Sequence, residues 1–288
     1  MNLNLENITF VIVTFKSDKI INDCIETLPR ESKIIVIENS KNINLKKDLE
    51  AKYDNIEVII SNNNGMGTSN NIGLKACKTK FAYVINPDVK LKKNTLSNIF
   101  ESSRLIKDFT ILSPFNDNEK FPNYLINNNY KNINENIIDV DQLDGFSMLI
   151  NLEKFKDNLY FDENIFLYLE NDDLCLRIKK KNENIYLIKN SIIEHLGSSS
   201  SDNFLSDELE YSRNWHWMWS KYYYNKKHFG HLSALTSVSL NFFSGVFKYL
   251  IYLLIFNSYK KKIYKMRIFG IINAVLNKPS WYRPNIDI

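Results

Sequence analysis

The chain has 288 residues, 44% hydrophobic and 24% charged, with a formal net charge of +4; it can bury a full core as one large domain or one domain plus an appendage, and so small a charge gives no argument for a nucleic-acid partner. Cys24, Cys77 and Cys175 are odd in number and far apart, which excludes a disulfide framework or zinc spacing and predicts a reducing, cytoplasmic setting. Met1 to Asn7 is polar and lacks the basic-then-apolar order of a signal peptide.

Ile8 to Phe15 reads as a buried strand followed by polar Lys16-Ser17-Asp18, and Ile20 to Leu28 carries apolar residues at helical spacing with Pro29 as a stop. Lys33 to Ile37 is a second strand ending in Glu38-Asn39-Ser40, Leu45 to Tyr53 a charged amphipathic helix, and Ile56 to Ile60 a third strand. Asn64-Gly65-Met66-Gly67 then leads into a helix from Ser69 to Cys77, and Phe81 to Ile85 is a fourth strand that stops at Asn86-Pro87-Asp88, because proline cannot donate to a sheet ladder. Lys92 to Lys107 reads as a helix and Thr110 to Phe115 as a strand; Asn116 to Val140 is an Asn-rich excursion expected over the acceptor side of a site. Asp144-Gly145 is a turn into a strand reaching Ile150, a helix is expected around Glu153 to Lys156, and Asn184 to Ile188 and Ser191 to Glu194 read as two short strands before His195-Leu196-Gly197 and four serines. Alternating strands and helices predict an α/β fold, a mostly parallel Rossmann-like sheet with helices on both faces.

In such a sheet the carboxyl ends of the strands share one edge, where ligands bind. Thr14-Phe15, Glu38-Asn39, Asn64-Gly65 and Asn86 with Asp88 would meet there. Asp88 is placed to hold a divalent cation and, through it, a diphosphate; on its own, Asn-Pro-Asp is equally an ordinary turn. The glycine spacing fits neither the dinucleotide fingerprint nor a P-loop. A second acidic cluster, Glu170-Asn171-Asp172-Asp173, opens a helix whose Leu167, Leu174 and Ile178 share an apolar face. Asp173 and Arg177 are spaced to pair at i,i+4. Acidic residues often do no more than complement a helix N-terminus, but three within four positions among apolar neighbours are also candidates for a general base.

Val13 to Phe15, Asn39-Ser40, Asn64-Gly65, Asn70-Asn71-Ile72-Gly73, Ile85 to Val89, Asp144-Gly145, Phe161-Asp162-Glu163, Glu170 to Arg177, His195 and Pro279-Ser280-Trp281-Tyr282-Arg283-Pro284 occur in the order of a family 2 glycosyltransferase with the GT-A fold, and the chain resembles the bacterial rhamnosyltransferase-like branch over nearly its whole length. The resemblance implies inverting transfer of a sugar, L-rhamnose from dTDP-L-rhamnose in first place, to a hydroxyl of a growing cell-surface glycan or polyprenyl-diphosphate-linked saccharide. It implies a dTDP- or UDP-linked donor along Thr14, Phe15, Glu38, Asn39, Asn64, Gly65, Asn70, Asn86 and Asp88, with Mg²⁺ or Mn²⁺ on Asp88 and His195, and the transferred sugar and acceptor near Asp144 and Gly145. Asn86 stands where the metal motif has its first Asp. Asn171 stands where the family often has its base, and an amide cannot take a proton at neutral pH, so the role falls to Glu170, ahead of Asp172. That departure keeps a second class open, a nucleotide-sugar or glycan-binding protein that retains the fold without turnover.

The division expected is a catalytic domain over residues 1–203 and a helical appendage over 204–288. Tyr211 to Lys227 is crowded with tryptophan and tyrosine, Leu232 to Phe256 is long and apolar, and Lys260-Lys261-Lys262 follow. A spanning helix needs about 20 apolar residues, which this run barely supplies. Aromatic, apolar and then basic order instead fits a helix lying peripherally on an anionic inner membrane surface; packing on its own domain or on a second subunit as a homodimer is the competing reading.

Overall fold

The computed structural model describes residues 3–118, 122–126, 132–196 and 206–284. The chain divides into two compact units, Met1–Asp162 with Asn171–Ser201, and Glu163–Glu170 with Asp202–Ile288.

The first unit is built on a nine-stranded sheet. Strands β1 (Ile8–Thr14), β2 (Lys33–Glu38), β3 (Ile56–Ile60) and β4 (Phe81–Ile85) lie in the order β3-β2-β1-β4, all parallel. Every residue of β1 and of β4 is buried, as expected where helices cover both faces and strands become continuous apolar runs. The period of two sorts them: Phe10, Ile12, Tyr83 and Ile85 point into one core, and Val11, Ala82 and Val84 into the other. Helices α1 (Ile21–Ile25), α2 (Ile43–Lys52) and α4 (Thr95–Leu105) cover the first face through Ile21, Leu49 and Ile99, while α3 (Met66–Ala76) and α5 (Glu170–Lys180) cover the second through Leu74 and Leu174.

Beyond β4 the sheet becomes mixed. After β5 (Val89–Leu91), β6 (Ile111–Asn116), β7 (Tyr124–Leu125), β8 (Ile137–Asp139) and β9 (Gln142–Leu143), strand β10 (Ser147–Asn151) inserts antiparallel between β4 and β6. Strand β11 (Ile185–His195) runs parallel to β6 and antiparallel to β8 at its start and β5 at its end, with a register shift between Ile188 and Ile192. The two strands expected over Asn184 to Glu194 are thus one bulged strand whose irregular middle exposes Lys189 and Asn190. The helix expected around Glu153 is a single 3-10 turn, Leu152–Lys154. Within the expected excursion, β7 pairs with β9 in a separate two-stranded sheet; residues 119–121 and 127–131 of it, like Gly197 and the four serines, lie outside the described residues.

The second unit contains α6 (Ser206–Leu254) and α7 (Ser258–Val275). Helix α6 breaks at Gly230, whose φ of 88° and ψ of 171° are not helical. Lys221 Nζ donates to Asn241 Oδ1 at 2.9 Å, although twenty residues of straight helix would span about 30 Å. The two arms of α6 therefore fold back on each other, and α7 packs on both through Gly270 against Trp215 and Gly245 against Ile268. Trp215, Trp219, Tyr222, Ala234, Val238 and Ile271 form the core of this three-helix arrangement.

Candidate functional site

The turn after β4 is tied to two other segments by its backbone. Asn86 N–H donates to Phe146 O at 2.9 Å, Val89 N–H to Asn86 O at 3.1 Å, and Leu196 N–H to Asp88 O at 3.0 Å. The Asp88 side chain is buried, with Oδ2 3.4 Å from His195 Nε2. The His195 ring stacks on Phe146 with centroids 4.0 Å apart. Asp88 Oδ1 is buried without a hydrogen-bond partner, the state in which a ligand that completes the site would find it.

Two further residues share that condition. Thr14 Oγ1 and Asn70 Oδ1 are buried and unpartnered, at the end of β1 and in the first turns of α3. Beside them Asn39 Nδ2 donates to Ser69 Oγ at 2.8 Å, and Ser69 Oγ donates to Gly65 O at 2.9 Å. Gly65 sits at φ 106° as the residue before α3, a conformation that a side chain would strain. Phe15 and Asn86 are half-buried and Asn64 is exposed. Glu38 is fully buried, and its oxygens are occupied within its own turn: Oε1 accepts from Ser40 N–H at 2.9 Å and from Ser40 Oγ, and Oε2 accepts from Asn42 N–H at 2.7 Å. It braces the loop that carries Asn39.

The acidic helix start approaches the Asp144-Gly145 turn. Asn171 Nδ2 donates to Leu143 O at 2.9 Å, and a Cβ on Gly145 would lie 3.4 Å from the Asn171 Cβ. Burial pushes the Asp172 carboxyl up to about 6, and the negative charge of Asp144 adds to it. Asp144 is itself raised by partial burial, opposed by His195. Asp173 is fully buried and accepts from Arg177 Nε at 2.8 Å, the pairing expected from its spacing. Glu170 opens α5 as the last residue of the segment that belongs to the second unit. Asp88, His195, Asp144 and Asp172 are thus linked by contact or by charge within the first unit.

Among the described residues no three His, Cys, Asp or Glu side chains gather into a complete metal cluster. The pair of Asp88 and His195 nevertheless fits a divalent cation that takes its remaining ligands from a bound phosphate, because one buried carboxylate oxygen has no protein partner. Sequence reading missed Phe146, which orients His195, and the donor role of Asn171. It also missed the reciprocal clamp of Asn71, whose Nδ2 donates to Phe161 O and whose Oδ1 accepts from Phe161 N–H, both at 2.9 Å. Only the Asn70-Asn71 doublet hinted at this last one.

The model of the family described as "Glycosyl transferase family 2" matches residues 9–170. The low-salt glycan biosynthesis hexosyltransferase Agl10 of Haloferax volcanii is 24% identical over 203 residues, 63% of this chain and 64% of its own length. The solved structure of GalNAc-T7 with UDP, GalNAc and Mn²⁺ superposes with a TM-score of 0.56 at 14% identity, over 84% of this chain and 58% of that one. The mannosyltransferase PcManGT of Pyrobaculum calidifontis, in complex with GDP-Man and Mn²⁺, gives 0.55 at 8% identity over 94% and 88%. The chain therefore spans less than two thirds of the length of Agl10 and of GalNAc-T7, and the structural matches identify the fold as GT-A.

Proposed function

The chain belongs to glycosyl transferase family 2, and from that membership we propose that it transfers a hexose from a nucleoside diphosphate sugar to a saccharide hydroxyl. The observation that carries this reading is the set of three buried, unpartnered oxygens, Thr14 Oγ1, Asn70 Oδ1 and Asp88 Oδ1, at the ligand-binding edge of the sheet. A polar nucleotide and a cation are what such atoms accept. The Mn²⁺ in the GalNAc-T7 and PcManGT structures supports a divalent metal, Mg²⁺ or Mn²⁺, held here by Asp88 and His195. The metal supplies charge neutralisation for the leaving diphosphate. Thr14, Asn39, Asn70 and the Asn86 turn then line the nucleotide, and Asp144 with Gly145 the sugar and acceptor side.

The acceptor hydroxyl must lose its proton as it attacks the anomeric carbon, and attack opposite the leaving diphosphate inverts that centre. Glu170 is our first choice of base. Asp172 is the second, favoured by a carboxyl poised near 6, where a base operating close to neutral pH is most effective. The donor we favour is dTDP-L-rhamnose and the acceptor a glycan or lipid-linked saccharide at the inner membrane surface, with residues 1–203 as the catalytic domain.

Thermal unfolding against UDP-glucose, UDP-N-acetylglucosamine, GDP-mannose and dTDP-L-rhamnose, each with and without Mn²⁺, tests the donor site. A ligand at 100 times its dissociation constant stabilises the native state by about 2.7 kcal/mol. We expect a Mn²⁺-dependent rise of the midpoint with one nucleotide, lost in Asp88→Asn. A protein that shifts with none of the four, with or without metal, has no working donor site.

A further inference from the structure

The segment before Glu170 is gripped from one side by three residues of α6. The ring of Phe166 stacks on His216 with centroids 4.4 Å apart, Leu167 O accepts from Ser220 Oγ at 2.8 Å, and Tyr168 meets the edge of Trp217 at 5.3 Å. The other face of Phe166 carries the Arg283 guanidinium, 3.8 Å from the ring centroid. Arg283 donates in turn to Ser280 O at 2.8 Å.

His216 is fixed as firmly as what it holds. Its Nε2 lies 2.8 Å from Tyr282 O and its Nδ1 2.9 Å from Ser280 Oγ. A carbonyl can only accept, so Nε2 carries the proton and Nδ1 accepts from the serine. The Pro279 to Pro284 stretch thus closes a cage around Phe166.

The grip ends on strained backbone. Tyr168 and Leu169 both sit at φ 68°, two consecutive left-handed residues without glycine. Such conformations persist only where the surroundings over-determine them. The next residue is Glu170, the first of α5.

We propose that this cage is a positioning device for the general base: Phe166, held between His216 and Arg283, and Leu167, held through its carbonyl by Ser220, fix the left-handed pair and so the direction in which Glu170 leaves the chain. The inference rests on the reading of Glu170 as base. It gives the helical appendage a catalytic consequence that the donor site alone does not require. Phe166, Ser220 and Arg283 are positioning residues, because none of them needs to touch a substrate.

The test is a double-mutant cycle in the full chain. Hydrolysis of the four nucleotide sugars above, in which water takes the sugar, is followed with Mn²⁺ as nucleoside diphosphate released. Arg283→Ala should lower kcat at least 10-fold and Ser220→Ala a few-fold, with KM for the donor unchanged. In a Glu170→Gln background neither substitution should lower kcat further. Ser220→Ala deletes one hydrogen bond and keeps the test valid if Arg283→Ala does not fold. Both variants at wild-type kcat beside an impaired Glu170→Gln would overturn the inference alone, as would losses that multiply in the Glu170→Gln background. Full turnover by Glu170→Gln, or no diphosphate release by the wild type, would remove the base and the inference with it.

Discussion

Burial raises the Asp172 carboxyl from its ordinary 3.8 to about 6, with Asp144 adding to the effect. The folded state therefore holds this proton more tightly than the unfolded chain does, and between about pH 4 and 6 the native protein binds more protons than the denatured one. By linkage, stability falls as pH rises through that window and stays reduced above it. Replacing Asp172 with Asn removes the loss. We expect Asp172→Asn to match the wild type in unfolding free energy at pH 4 and to exceed it by about 2 kcal/mol at pH 7, read from urea unfolding at the two pH values without ligand. An advantage at neutral pH together with lost turnover would make Asp172 a destabilised functional carboxylate; the same advantage with turnover kept would leave the base role to Glu170. At this scale strand ends were legible in the sequence, because a buried run followed by Asn-Pro-Asp stops for a local reason. Which strand-end side chains remain available was not. Glu38 is expected along the nucleotide from its position, and nothing in the sequence shows that its oxygens also accept from Ser40 and Asn42 in its own turn. Asn171 looked like a lost carboxylate, yet its amide makes a donation to Leu143 O that a carboxylate could not. Both depend on partners brought close only by the fold.

Two glycines set how closely elements approach. A Cβ on Gly73 would meet Val11 Cγ1 at 2.3 Å, and one on Gly270 would meet the backbone oxygen of Trp215 at 2.3 Å. A valine side chain on a packed strand can shift slightly; a helix carbonyl cannot move without its helix. Gly270→Ala should therefore destabilise the protein by about 1–3 kcal/mol, the usual range for overpacking, by prying α7 from the first arm of α6. Gly245→Ala, whose Cβ would meet side-chain atoms of Ile268 alone, Cγ1 at 3.3 Å and Cδ1 at 4.0 Å, should cost much less, and chemical denaturation of the two variants side by side checks the order. The parallel half of the sheet was readable because each strand, helix and next strand follow directly in sequence. The antiparallel half was not, since β10 reaches its place between β4 and β6 across an irregular stretch, and no periodicity records a partner so distant. The bulge that joins two apparent strands into β11 is invisible for the same reason: exposed Lys189 and Asn190 look like a loop until β6 continues past them.

The distribution of charge and apolar surface over the C-terminal helices exceeds what a packed appendage needs. From Tyr211 to Arg283 there are twelve Lys and Arg and no Asp or Glu, although the whole chain carries a net charge of only +4. The second arm of α6 presents Leu240, Phe243, Phe247, Leu250 and Leu254 at helical spacing on a single exposed stripe, and Phe256 at its tip is 90% exposed. Among the described residues one helix is long and apolar enough to cross a membrane, but the fold-back at Gly230 divides it into two arms. Lys248 and Lys260 lie over the rings of Tyr264 and Tyr252, beside that tip. We propose that this apolar stripe and tip, bordered by cations, lie on an anionic bilayer, where each Lys or Arg near the surface would add about 1 kcal/mol and burial of the stripe the rest. The full chain should therefore sediment with vesicles containing 30% phosphatidylglycerol at low salt, far less with phosphatidylcholine alone, and progressively less with the anionic vesicles as salt rises. Phe247→Glu should abolish sedimentation while leaving the Mn²⁺-dependent donor shift intact. Equal binding to both lipids would remove the cationic part of the argument, and a concentration-dependent dimer that ignores vesicles would assign the stripe to a second copy instead.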